Sequence, residues 1–171
     1  MPKLLVLFHS RSPDVVRLAE AARDGARSVR FAEVDVRRLP TSGDAHDTTA
    51  DGDVRAHQLL QHVEELGHYD GLILAVGGED DGGEALVRSL AAFDGSLANK
   101  VGAVITPATG TERRAALWSV LGPMADRGMI LVPAPFGDAG VADDESTRRV
   151  GKRVADVIGW VTHARSHHHH G

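Results

Sequence analysis

The sequence predicts an α/β protein: a three-layer, doubly wound sheet of five parallel strands in the order 2-1-3-4-5, with helices on both faces. Two observations carry this expectation. Strand-like apolar runs alternate with helix-period segments along the chain, and most of the runs are apolar without interruption, which marks burial on both faces. The exception is residues 31–36, where Ala32, Val34 and Val36 alternate with Glu33 and Asp35, as in a half-exposed strand at a sheet edge. An edge position for the second strand, combined with short right-handed crossovers, leaves that order.

The first strand, residues 3–8, runs into His9, Ser10, Arg11, Ser12, Pro13 and Asp14, then into a helix with Val15, Leu18, Ala19 and Ala22 on its apolar face. A hydroxyl-rich turn at a helix start presents unpaired amides, the positive end of the helix dipole and two hydroxyls, a combination that suits phosphate or another anion. After the second strand comes a polar stretch, residues 41–53, read as a loop. A second helix is expected to follow, with a stripe of Leu59, Leu60, Val63 and Leu66 and Gly67 at its C-cap. The third strand is residues 72–76, followed by a glycine-rich acidic loop, residues 77–84, and a helix with Leu86, Leu90 and Phe93 inward. The fourth strand is residues 101–105, followed by residues 106–112 and a helix with Leu117, Val120, Leu121 and Met124 buried and Gly128 at its end. Residues 129–133 form the fifth strand, and Val150, Val154, Val157, Ile158 and Val161 mark the last helix. In this topology a ligand crevice opens at the carboxyl ends of the first, third and fourth strands, so residues 10–15, 77–84 and 106–112 carry the function.

The 171 residues suit one domain, residues 1–164, and the tail 165–171 with its run of histidines reads as a purification tag outside the fold and outside any metal reasoning. A formal charge of -5 with dispersed Lys and Arg excludes a nucleic-acid partner. With no Cys, disulfides and thiolate chemistry are excluded. No apolar run reaches bilayer length and no signal peptide precedes the first strand, so a cytoplasmic location without a membrane partner is expected. His57, His62 and His68, spaced by five and six, do not share a helix face and are expected to be solvated, with no metal. The strand ends lack the acidic residues and lysine of a phosphoacceptor receiver domain, and dinucleotide-binding, P-loop and nucleophile-elbow motifs are absent from the sequence.

Read in order, residues 69–73 (YDGLI), 128–133 (GMILVP) and 147–155 (TRRVGKRVA) resemble the flavodoxin-fold NAD(P)H:quinone oxidoreductases of the WrbA type, and the likeness extends over nearly the whole chain. The resemblance implies FMN as cofactor, NAD(P)H as electron donor, a quinone as acceptor and a homo-oligomer. It assigns the phosphate to Ser10, Arg11, Ser12, Pro13, Asp14 and Val15. It assigns the ring and ribityl chain to Gly77, Gly78 and Glu79 and to Thr106, Pro107, Thr109 and Gly110, with Phe136 as the aromatic placed to cover the ring. Catalytic residues are not assigned.

Each loop departs from the family pattern. Pro13 replaces a glycine and removes an amide donor, and Asp14 adds a carboxylate where phosphate charge should lie. Residues 77–84 lack the family's aromatic and arginine, forfeiting about 0.5–1.5 kcal/mol of stacking and adding acid. Asp126 and Arg127 stand where the family has histidines near the flavin. Ser12, Pro13 and Asp14 also read as an ordinary helix start, residues 106–112 as a capping turn, residues 79–84 as a solvated loop and Phe136 as a core or surface residue. The alternative to the oxidoreductase is therefore a flavodoxin-fold module with weakened or lost flavin binding that acts as a binding protein.

Overall fold

A computed structural model describes residues 1–10, 12–30, 32–40, 57–78, 83–134 and 143–167. Six parallel strands form one sheet: β1 (Lys3–Phe8), β2 (Glu33–Arg38), β3 (Gln58–Leu59), β4 (Gly71–Ala75), β5 (Val101–Ile105) and β6 (Ile130–Leu131), in the spatial order β3-β2-β1-β4-β5-β6. The helices are α1 (Pro13–Arg27), α2 (Gly83–Ala92), α3 (Gly110–Asp126) and α4 (Asp144–His167), with a 3-10 helix at Val63–His68. Among the described helices none is long and apolar enough to cross a membrane.

The doubly wound order stands as expected, with one strand added at the edge. The stripe expected to form a second helix instead divides between β3 and the 3-10 helix. Leu60 N–H donates to Arg38 O at 2.9 Å, which extends the sheet past β2 and drops Leu60 into the core at 3% exposure. His62 is extended, at φ -136°, and Glu65 Oε1 accepts the amides of Gln61 and His62 at 3.0 and 2.9 Å, so helical hydrogen bonding begins only after it. Gly67 thus lies inside the 3-10 helix, whose C-cap is Tyr69. Apolar spacing alone cannot separate these outcomes, because a free strand edge competes with a short helix for the same residues. The fifth expected strand shortens to Ile130–Leu131, and the expected loop at residues 41–53 lies outside the described residues.

The core is split by the sheet. On one face, Leu4, Val6, Phe8, Ile73 and Ala103 pack against α1 and α4; on the other, Leu5, Leu7, Leu72, Leu74 and Val104 pack against α2, α3 and the 3-10 helix. Alternate side chains of β1, β4 and β5 feed both layers, which is why these strands read as unbroken apolar runs. Each such side chain contributes roughly 1.5–3 kcal/mol by leaving water.

Helices α1 and α4 approach at glycines. A Cβ on Gly25 would lie 1.9 Å from Arg148 O, and one on Gly151 would lie 2.0 Å from Ala22 O. Main chain meets main chain there, so neither side can yield by a rotamer change. At the end of α3, Gly128 takes φ +74° and accepts the Schellman pattern: its N–H donates to Ala125 O at 2.9 Å and the Met129 N–H to Met124 O at 3.3 Å.

At the amino edge of the sheet, the Tyr69 hydroxyl donates to Asp35 Oδ2 at 2.8 Å, joining β2 to the residue pair that precedes β4. Burial first, and then the Asp35 carboxylate, push the phenol up to about 12 from 10.0. Lys100 donates to Gly67 O at 3.1 Å and to Tyr69 O, and its own burial lowers its pKa.

Gly151→Ala is expected to cost about 3 kcal/mol or more and to lower Tm by roughly 10 °C in calorimetry. Tyr69 is the chain's single tyrosine, so phenolate absorbance reads it alone. The folded protein should titrate near pH 12 and the denatured chain near pH 10. The raised value means that stability from Tyr69 is fully present below pH 10 and is lost as pH rises toward 12.

Candidate functional site

Strands β1, β4 and β5 end in register. Phe8 lies beside Ala75, and Ala75 beside Ile105. The segments that leave them are therefore delivered to one edge, and four side chains show what that edge is built for. The buried polar side chains among the described residues are Ser10, Thr106, Arg113 and Thr147, and all belong to this edge or to the helix starts above it. Burying polar groups costs free energy that apolar residues would avoid, so their concentration at one end of the sheet makes that end the candidate site.

The first turn is compact. Ser10 is 4% exposed, and its Oγ accepts the Ser12 amide at 2.9 Å. Ser12 occupies the N-cap of α1 in extended conformation, but its hydroxyl makes no capping bond, and Pro13 follows at the first helical position. The amides of Asp14 and Val15 have no carbonyl partner within the helix, and of the two residues Asp14 is the exposed one. The Asp14 carboxylate lies 3.7 Å from Arg17, which also meets Asp144 at the start of α4 at 2.9 Å. Asp14 is thus turned along the outside of the helix toward a cation. Arg11 lies outside the described residues.

The second and third segments are tied together by Thr106. Its hydroxyl, 2% exposed as a residue, donates to Gly77 O at 3.2 Å and accepts the Ala108 amide at 3.2 Å. Thr106 is therefore a clamp between the loops. Gly78 lies under Glu112 in the first turn of α3, where a Cβ at position 78 would be 2.1 Å from Glu112 Oε1. Pro107 leads to Thr109, the extended N-cap of α3, whose O accepts the Arg113 amide at 3.1 Å. Gly110 takes φ +58° with open space around its missing Cβ, so backbone conformation, not packing, requires glycine there. Glu79 and Phe136 lie outside the described residues, as do residues 80–82 of the acidic loop.

Beside this crevice lies a small cleft of about 10 Å³, whose lining includes Thr106, Arg113, Ser146 and Thr147. Ser146 N–H donates to Asp143 Oδ1 at 2.6 Å and Thr147 Oγ1 to Asp143 O at 2.9 Å, closing the start of α4. The Ser146 amide first, and then the Ser146 side chain, hold the Asp143 carboxyl below its usual range. Sequence reasoning passed over Arg113 and Thr147, yet a signal existed. Each continues the buried stripe of its helix, Arg113 with Leu117, Val120 and Met124, and Thr147 with Val150, Val154 and Ile158.

Two further expectations are corrected. Asp126 and Arg127 end α3 at the amino edge of the sheet, opposite the crevice, where Arg127 donates to the carbonyls of Leu90, Phe93 and Gly95 and closes the end of α2. His57 is not solvated: its Nε2 is 3.1 Å from Glu20 Oε1, and its ring stands edge-on to Phe8 at 5.7 Å. The cause is β3, which draws the returning chain over the end of β1. His62 and His68 are exposed as expected.

The sheet order and the three converging loops define a flavodoxin-fold protein. The structure superposes on that of the flavodoxin, WrbA-like protein from Agrobacterium tumefaciens with a TM-score of 0.59 at 19% identity, covering 94% of this chain and 99% of that one. No protein-family model matches. In sequence, the chain is 31% identical to an NAD(P)H dehydrogenase (quinone) of Archaeoglobus fulgidus over 92% of its own length and 97% of that protein's. It belongs to the NAD(P)H dehydrogenase (quinone) family, as the WrbA-type resemblance implied. A relative of the same name from Acidithiobacillus ferrooxidans is 43% identical over 75 residues, which span 43% of this chain and 37% of that protein.

Thr106→Val is expected to leave Gly77 O and the Ala108 amide without their partner and to cost about 1–3 kcal/mol. Urea unfolding checks it; an unchanged midpoint would remove Thr106 from the loop clamp.

Proposed function

We propose that the protein is an FMN-dependent NAD(P)H:quinone-type oxidoreductase of the cytoplasm, self-associating as a homo-oligomer. The observation that carries the reading is the delivery of three loops to one edge, with a Ser12 hydroxyl that makes no capping bond at the start of α1, in a chain of this family. The residues present fit FMN. Ser12 Oγ and the amides of Asp14 and Val15 would hold the phosphate, supported by the positive end of α1 and by the buried Ser10 beneath. The nearby Arg17 guanidinium would offset part of the Asp14 charge at the turn. The ring would lie between Gly77–Gly78 and Thr106–Gly110, with Arg11, Glu79 and Phe136 completing the surroundings.

When bound, FMN supplies hydride acceptance from NAD(P)H and two-electron delivery to a quinone. The chain's own contribution is placement. Thr106 fixes the spacing of the two loops that flank the ring, and Pro13 pre-sets the turn that meets the phosphate.

An FMN titration followed by flavin fluorescence tests the reading, with NAD(P)H oxidation in the presence of a quinone as the second measurement. Saturable binding with quinone-dependent turnover is expected. Ser12→Ala should weaken FMN binding about tenfold or more, the worth of one hydrogen bond to a charged group, without altering stability, because that hydroxyl caps nothing. Failure of millimolar FMN to bind or to raise Tm would favour a flavodoxin-fold binding module instead.

A further inference from the structure

We propose that the outer face of α3 docks on the same face of a second copy of this chain, the two helices running antiparallel about a two-fold axis. Residues 115–125 hold no charged side chain, yet Ala115, Trp118, Ser119 and Ala125 are exposed, Trp118 at 59%. The exposed side of α4, by contrast, carries Arg148, Arg149, Lys152 and Arg153. A helix whose outer side is as free of charge as its inner side has the pattern of one covered on both sides. Depletion of charge around an exposed tryptophan is the composition of the middle of a protein–protein interface.

The face is complementary to itself. Ala115, Trp118, Gly122 and Ala125 follow one another at spacings of three, four and three, so they form one stripe that reads the same in both directions. Antiparallel pairing about an axis at residue 120 therefore sets Trp118 opposite Gly122 of the second copy, and Ala115 opposite its Ala125. Gly122 supplies the seat: nothing lies within 4 Å of the position its Cβ would take. Pro123 follows it and disfavours a Cβ on a helical neighbour, which keeps that seat open. The two alanines admit the axial separation of packed helices, about 8–10 Å. The same pairing brings Arg114 level with Asp126 of the second copy at each end of the interface, opposite charges on exposed positions.

Helix α3 begins at the crevice and ends at the amino edge of the sheet, so antiparallel partners turn their crevices to opposite ends of the dimer and neither covers the other. The docking face deepens the homo-oligomer of the proposed function by locating its contact, yet it rests on α3 alone and not on the flavin. An interface centred on one pair of 17-residue helices belongs to the small class, below about 1,200 Å², for which a concentration-dependent equilibrium is expected.

The test is sedimentation equilibrium of the full chain from about 1 to 500 μM, the range of a micromolar equilibrium, without added flavin and with EDTA present so that the tail histidines bridge no metal. A monomer–dimer equilibrium is expected, and Trp118→Ala should weaken it about tenfold or more, as loss of a central aromatic anchor does, with the helical circular dichroism unchanged. Arg114→Asp and Asp126→Arg should each weaken the dimer, and the two together should restore it. Both reversals suit the dipole of α3, so the helix is expected to survive them. A chain that stays monomeric throughout, or a dimer indifferent to Trp118→Ala, would overturn the proposal, and failure of the double reversal to restore the dimer would overturn the antiparallel pairing. Because no flavin is present, these results stand apart from the FMN titration, and either can fail while the other succeeds.

Discussion

The crevice depends on one constraint: three strands buried on both faces, hydrogen-bonded in parallel and ending level with one another. Because β1, β4 and β5 are pinned between two helical layers, a slip in any of them would turn core side chains to the opposite face and break both layers at once. The coincidence of Phe8, Ala75 and Ile105 at one edge is therefore strongly enforced. Loops that leave such strands need no contacts of their own to arrive together. Their few polar contacts serve to set spacing, as the Thr106 bond to Gly77 does.

The two edges of the sheet divide the work. At the amino edge, polar groups are spent on closure: Arg127 satisfies three carbonyls at the end of α2, Lys100 two more around the 3-10 helix, and Tyr69 binds Asp35. At the carboxyl edge, by contrast, Ser12 keeps a hydroxyl out of helix capping and Gly110 stands in open space. Elements that could have been sealed are left with hydrogen-bonding capacity directed outward, as a binding site requires. The glycine contact between α1 and α4 supports this arrangement from behind, since it fixes the two helices whose starts are bridged by Arg17 and Asp144.

Much of the fold was legible because its signals are local. Unbroken apolar runs announced strands buried on both faces, and the stripes of α1, α3 and α4 matched their buried residues closely. The site was legible to the level of segments: the turn after β1 and the loops after β4 and β5 were identified, while Arg113 and Thr147 were overlooked because attention rested on loops and not on polar interruptions of helix stripes. The failures have a common cause. Leu59 and Leu60 carry a spacing that fits a helix, and only the unpaired edge of β2 made a strand of them. His57 became half-buried for the same reason.

Local pattern was sufficient to establish the number and kind of most elements, their order across the sheet and the edge at which a ligand would enter, because burial and chain direction impose those on the residues themselves. The end-point of each strand relative to its neighbours, the meeting of Gly25 and Gly151 with facing carbonyls and the direction of Asp14 were decided in three dimensions. Each of these is a distance between groups whose positions depend on how separate elements pack, and no periodicity along the chain encodes a distance.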